Sequence, residues 1–504
     1  MNLCYTITID KKFIGIISRF FHPVVCVLIL MLTNIGFASE KTITDKPTIL
    51  IIKKITIDVN GKKTDLFKIE QPDGTWGYRG VKGQFFDAIV KNTTDKPTAV
   101  HWHGLIVPNK DDGVPYVTQD PIPAGGEFHY RFKLKQSGTY WMHSHHDLQV
   151  QQFLSAPLII LDPAEKKADK DLTLFIGDFS YKKPEVIFAK LKKGMTHMDH
   201  GGHTMHMDMP MDHKSMQTAD LIDVEYDAFL TNYHTLKNPE IVSVKPGDLI
   251  RLRIIAGSAM TNFFINTGEL QGQAIAVDGQ NIKPIKAHKF QLAVGQRMDI
   301  LVTIPVGEHA YPILAQGEGT QLQTGLILAT DKAKVVPQKE KADAMVGALN
   351  YEQEFKLHGE APLVQKAPGQ TLIVNLEGDM MKYTWSINNQ AWPKIRPLQV
   401  SENKRVEMVF INHSSMAHPM HLHGHVFEVT EIDGKPLKQG AMRDTVLVLP
   451  NSTVKVQFDA DNPGNWMMHC HMLYHQESGM MTIVNYDGFK LPDLNMMNMN
   501  GMVH

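Results

Sequence analysis

From Thr48 onward the chain is built of short runs in which apolar and polar positions alternate. Phe86, Ala88 and Val90 share one parity. Ile250, Leu252 and Ile254 alternate with Arg251 and Arg253, and Val406, Met408 and Phe410 share a parity opposite to Glu407. Successive side chains of a strand point to opposite faces, so this period of two predicts strands with one face buried and the other wet. Gly, Asn, Asp and Pro interrupt the runs at sandwich spacing, and no long amphipathic helix is evident. The expectation is an all-β protein.

The pattern repeats. Gly138-Thr-Tyr-Trp-Met-His-Ser-His matches Gly464-Asn-Trp-Met-Met-His-Cys-His in step from glycine to histidines. Upstream of each come a strand, an asparagine (Asn92, Asn412), a turn and a His-x-His pair. A middle copy keeps the strand, Arg251 to Ile255, but carries Asn262-Phe263-Phe264 where the others have histidines. Three related units follow, with ligand-type residues only in the first and third. Charged stretches containing Lys and Pro, Asp162 to Asp171 and Asp331 to about Ala348, separate them. The expected boundaries are residues 39–165, 166–335 and 350–504, with a linker at 336–349.

A length of 504 residues suits about three domains. With 43% hydrophobic and 21% charged residues and a net charge of −2, the composition is that of a soluble globular protein without a nucleic-acid partner. Lys11, Lys12 and Arg19 precede the apolar run Val24 to Leu32, and Gly36-Phe37-Ala38 fits a small-residue cleavage site. Residues 1–38 therefore read as a secretory signal, the run being too short for a comfortable membrane span. There is no twin-arginine pair, so the expectation is a periplasmic or otherwise exported protein with no stable membrane insertion after cleavage. Cys4 and Cys26 leave with the signal, and Cys470 becomes the single thiol of the mature chain. Such a thiol cannot form an internal disulfide.

The neighbours of Cys470 give it a chemical role. It lies in His469-Cys470-His471, followed by His475 and Met480. A blue-copper centre takes two His, one Cys and a weak axial Met, and Cys470, His475 and Met480 supply three of those four. On a strand His469 and His471 face away from Cys470, so they point to a second metal site joined to the first through the main chain. Further imidazoles occur in His101-Trp-His103-Gly104, in His143-Ser-His145 and in His418-Pro-Met-His421-Leu-His423-Gly424. A lone His-x-His pair carries little weight. Four such clusters in two related units, with the only mature Cys among them, specify a copper protein.

These motifs resemble those of the multicopper oxidases, a family that includes laccases, ferroxidases and bacterial copper-resistance oxidases of the CopA-like branch. The resemblance covers essentially the whole mature chain. It implies three cupredoxin-like Greek-key β-sandwich domains and four copper ions. His418, Cys470, His475 and Met480 would hold the blue type 1 copper. His101 and His421 would hold the single type 2 ion of a trinuclear cluster, and His103, His143, His145, His423, His469 and His471 its coupled type 3 pair. Electrons from a donor at the edge of His475 would pass through Cys470 to His469 and His471, and O2 would be reduced to water. Asp112 matches an acidic position near the cluster that relays protons. Gln476 departs from the family, standing where relatives often carry a carboxylate, and strand alternation turns Glu477 elsewhere.

One stretch lies outside these motifs. Met195, His197, Met198, His200, His203, Met205, His206, Met207, Met209, Met211, His213 and Met216 form a Met/His-rich loop at 195–216, and a shorter Met-rich tail spans 496–502. Thioethers favour Cu(I), so the loop reads as accessory copper sites. The expected activity is oxidation of Cu(I) or a small phenolic donor coupled to four-electron reduction of O2, in copper tolerance. Alternatives are a laccase acting mainly on phenols and aromatic amines, and a copper-sequestering protein with little turnover.

Overall fold

The computed structural model describes residues 46–165, 167–193 and 221–494. The signal at 1–38, the Met/His-rich loop and the Met-rich tail lie outside the described residues.

Among the described residues, strands pair into six sheets, two in each repeat unit. In the first unit the strands Lys62–Glu70, Thr48–Val59, Phe85–Asn92 and Glu127–Lys133 form one sheet in that order. Tyr78–Val81, Ser155–Leu161, Gly138–Ser144 and Val100–His103 form the other. The middle unit packs a six-stranded sheet centred on Leu249–Ala256 and Arg297–Thr303 against a five-stranded one. In the third unit the second sheet runs Leu398–Val400, Met481–Tyr486, Asn465–Cys470, His418–Leu422, Thr445–Val448. Each first sheet contains one parallel pair: Thr48–Val59 with Phe85–Asn92, Lys170–Phe179 with Leu249–Ala256, and Gln370–Asp379 with Arg405–Asn412. Shared topology underlies the sequence repeat, and the architecture is that of cupredoxin-like β-sandwiches.

The alternating apolar residues are buried as expected, Phe86, Ala88 and Val90 among them. One inference from alternation fails. Arg251 and Arg253 are buried rather than wet, because the outer face of their strand is covered by the first unit. Arg253 donates to Asp171 at 2.7 Å, to Asp299 at 3.1 Å and to Thr139 of the first unit at 3.0 Å. Burial of a guanidinium requires such partners. The strand Lys170–Phe179 also begins inside the charged stretch Asp162 to Asp171, and a nine-residue helix, Pro184–Lys192, follows it.

Asn92 and Asn412 do the same work in their two units. Asn92 Nδ2 donates to the carbonyls of Lys96, Ile122 and Pro123 at 2.8–3.1 Å, and Asn412 Nδ2 to those of Met416, Val448 and Leu449 at 2.7–3.1 Å. The Oδ1 of each accepts from a hydroxyl two residues on, Thr94 or Ser414. Each amide thus ties down the turn that precedes a His-x-His strand.

Candidate metal centres

Two strand pairs deliver the larger set of imidazoles. Val100–His103 pairs antiparallel with Gly138–Ser144, placing His101 opposite His143. His418–Leu422 pairs with Asn465–Cys470, placing His421 opposite His469. The pairs meet across the first and third units: His101 stacks on His423 with ring centroids 3.7 Å apart, and His103 on His421 at 3.8 Å. Ring nitrogens within 4.8 Å of one another form three groups: His101, His103, His421; His103, His143, His471; and His145, His423, His469.

A smaller set lies on the other side of Cys470. Its Sγ is 3.6 Å from His418 Nδ1 and 3.8 Å from His475 Nδ1, and those two nitrogens are 3.2 Å apart. The outer nitrogens are held by hydrogen bonds. His418 Nε2 donates to Ser414 Oγ at 2.7 Å and His475 Nε2 to Asp223 Oδ2 at 2.8 Å, so each Nδ1 faces the thiol. Trp385 covers the ring of His475 at a centroid distance of 3.9 Å. Met480 is buried alongside, its carbonyl accepting from Cys470 N at 3.0 Å. Strand alternation ends here. Leu473–Glu477 is a short helix that brings His475 back to Cys470, so strand alternation does not set the direction of Glu477; Gln476 Nε2 donates to Glu477 Oε1 at 3.2 Å.

Metal suits both sets. His101 Nε2, His143 Nε2 and His421 Nε2 are buried without hydrogen-bond partners among the described residues, an arrangement that costs stability unless a cation satisfies it. Burial holds His103, His143, His145, His418, His421, His423 and His471 well below the usual histidine range, and His469 at about 4. They are neutral at physiological pH, with a lone pair available. Burial pushes the Cys470 thiol up, a penalty that a coordinated cation reverses by taking the thiolate. Imidazole with one thiolate is a copper donor set.

Carboxylates and main-chain carbonyls orient the rings. His101 Nδ1 donates to the carbonyl of Asp112 at 2.9 Å and His421 Nδ1 to that of Asp444 at 2.8 Å. Each aspartate side chain then reaches a histidine of the other unit. His423 Nδ1 donates to Asp112 Oδ2 at 2.9 Å, and His103 Nε2 to Asp444 Oδ1 at 3.1 Å. The Asp112-Gly113 turn is itself demanding, since Gly113 has φ +79° and a Cβ there would sit 1.8 Å from the Val100 carbonyl oxygen. Asp444, Asp223, Ser414 and Arg297 are site residues that no sequence motif signals. Asp444 plays the part of Asp112 but lies at a different spacing from its own His-x-His pair, so the repeat does not reveal it.

Family models described as Multicopper oxidase match residues 78–165, 171–333 and 365–488. The chain is 33% identical over 415 residues to multicopper oxidase MmcO of Mycobacterium tuberculosis, covering 79% of each protein. It is 27% identical over 510 residues to a copper resistance protein A homolog of Pseudomonas syringae pv. tomato, covering 79% of this chain and 85% of that one. The crystal structure of a laccase from Botrytis aclada shares the fold with a TM-score of 0.72 at 22% identity, over 87% of this chain and 88% of that one. Matches along all three units, on a frame that gathers eight imidazoles in one place and a thiol with two more beside it, leave one conclusion: the chain belongs to the multicopper oxidase family and is a copper-dependent oxidase with O2 as its acceptor.

Proposed function

We propose that this oxidase is an exported cuprous oxidase serving copper tolerance, with domains at 39–165, 166–335 and 350–504. In this reading His418, Cys470, His475 and Met480 hold the blue copper. His101 and His421 hold the single ion of the cluster. His103, His143 and His471 hold one member of the coupled pair, and His145, His423 and His469 the other. When bound, the copper ions supply one-electron redox chemistry and O2 binding. Cys470 joins the two sets covalently, being bonded along the main chain to His469 on one side and His471 on the other.

The observation that carries the donor assignment is a cavity of about 480 Å³ bordered by Asp223, Glu318, Met260, Met345, Met416 and Met472. Asp223 at its edge binds His475 Nε2 and also accepts from Tyr383 OH at 2.7 Å. Thioethers beside carboxylates suit a soft cation. The described chain on either side of the Met/His-rich loop packs against the helix that bears His475. Phe188 stacks on Tyr474 at 5.8 Å before the loop, and Asp223 binds His475 after it. Both described ends of the chain that flank this loop therefore lie against the element that would take the electron. The name of the Pseudomonas syringae relative, a copper resistance protein A homolog, agrees with a role in copper tolerance. For proton delivery we assign Asp112: Oδ2 accepts from His423, while Oδ1 has no hydrogen-bond partner among the described residues and lies 3.2 Å from His101 Nδ1.

Steady-state O2 consumption with Cu(I) and with a phenol, on one copper-loaded preparation, tests the assignment. Cu(I) should be the better donor, and deletion of 195–216 should weaken its oxidation while the blue absorption stays. A phenol preference unchanged by the deletion would make the protein a laccase, and no O2 consumption with either donor would make it a copper store. Mass spectrometry of the secreted form should find the chain starting near Ser39.

A further inference from the structure

Among the described residues the middle unit supplies none of the histidines of either set, yet three consecutive residues of that unit lie against the larger set or the groups that hold it, Gly295 against His471, Gln296 on Thr445 and Arg297 on Asp444. On the ligand assignment above, we infer that the turn Gly295–Arg297 is a positioning element of the trinuclear site, with Arg297 fixing Asp444 and, through it, the ring of His103.

Arg297 is fully buried and grips Asp444 with both arms of its fork, Nη1 to Oδ1 at 2.7 Å and Nη2 to Oδ2 at 2.5 Å. Nε also donates to the carbonyl of Thr139 at 3.1 Å and Nη1 to that of Gly295 at 3.2 Å. A bidentate guanidinium–carboxylate pair has one geometry, which an ammonium cannot reproduce. Asp444 Oδ1, held so, also accepts from Thr445 Oγ1 at 2.9 Å and from His103 Nε2. That bond commits the His103 proton to Nε2 and leaves Nδ1 facing His471 Nε2 at 3.2 Å. The same grip explains the glycine after the first His-x-His pair: a Cβ on Gly104 would lie 2.3 Å from Arg297 Nη2 and 2.5 Å from Asp444 Oδ2.

The two residues before Arg297 act on adjacent groups. Gln296 Nε2 donates to the Thr445 carbonyl at 3.0 Å, and Thr445 Oγ1 is 3.2 Å from both His103 Nε2 and His421 Nδ1. Gly295 has φ +84°, and a Cβ there would meet the His471 ring at 2.8 Å. A buried ion pair is a weak source of net stability. Asp112, which occupies the corresponding place in the first unit, has no arginine among its hydrogen-bond partners in the described residues. Stability alone therefore does not explain Arg297.

The test measures copper rather than turnover. In the copper-loaded full chain, Arg297→Met and Arg297→Lys are compared by chelator competition and by the type 2 electron paramagnetic resonance signal, with the blue absorption as internal control. Loss of an outer-shell partner of a ligating histidine weakens metal binding by roughly 10- to 100-fold. We expect a loss of that size at the cluster for Arg297→Met, a smaller loss for Arg297→Lys, and an unchanged blue band in both. Because Arg297→Met strands the Asp444 charge, the double variant Arg297→Met/Asp444→Asn keeps the fold testable and should show the same weakened cluster. Full cluster copper with an unaltered type 2 signal in the double variant would overturn the inference. His103→Ala run in parallel separates the two claims: full cluster copper there would overturn the ligand assignment itself, and the inference with it.

Discussion

The third unit holds its thiol between two imidazoles, and the first unit bends its chain the same way around a different triad. Cys470 N donates to the Met480 carbonyl at 3.0 Å; in the first unit Ser144 N donates to the Leu154 carbonyl at 2.9 Å. Ser144 takes the place of Cys470, Thr98 that of His418 and Gln149 that of His475. Gln149 Oε1 accepts from both Thr98 Oγ1 and Ser144 Oγ at 2.7 Å, closing a buried polar knot. The backbone frame is thus indifferent to metal. One copy satisfies its buried polar atoms internally, whereas the other leaves a thiol and two imidazole nitrogens converging on a common point. The larger set is different again, because it draws symmetrically on both units: His101 and His421, His103 and His423, His143 and His469, His145 and His471 are counterparts.

The largest effect should come from making the third unit resemble the first. Cys470→Ser should abolish the intense visible absorption and nearly all turnover, while the chain folds and keeps its cluster copper by elemental analysis. A blue Cys470→Ser protein would mean that the thiol is not the ligand.

The converse exchange is expected to have a smaller but visible effect. Thr98→His/Ser144→Cys/Gln149→His, built on Cys470→Ser, should restore a thiolate-to-copper band, with Leu154 where the third unit has Met480. A colourless, folded, copper-replete protein would show that the two frames differ more than their main-chain hydrogen bonds do.

Removing the matched asparagines sharpens the contrast further. Asn92→Ala and Asn412→Ala each strand buried carbonyls and should cost about 1–3 kcal/mol in denaturant unfolding. Only Asn412→Ala should also weaken the blue band, since Asn412 anchors Ser414 and Ser414 orients His418. Equal loss of blue copper in both variants would break the comparison.

The smallest expected change is at the hydroxyls. Ser414→Ala should lower blue-copper affinity by about 10-fold, the low end for an outer-shell partner, whereas Thr94→Ala should leave it unaltered. Metal competition followed at the blue absorption reads both.

The sequence alone determined what depends on local periodicity and on donor chemistry. Period-two runs specify strands, and the spacing of His469, Cys470 and His471 already puts imidazole and thiolate on opposite faces, because side-chain alternation is a property of one strand. The repeated motifs announce paired units, and thiolate, imidazole and thioether together announce copper. Tertiary structure decided what depends on chain segments remote in sequence. Arg251 and Arg253 carry the pattern of a wet face and are buried, since only packing against the first unit covers them. The helix at Leu473–Glu477 replaced the extended chain expected there, because returning His475 to Cys470 within five residues requires a turn. Asp223, Asp444 and Arg297 belong to no motif, for a group that holds a ring, as Asp223 and Asp444 do, or holds such a carboxylate, as Arg297 does, needs only to lie within about 3 Å of it in space and is free of any sequence spacing.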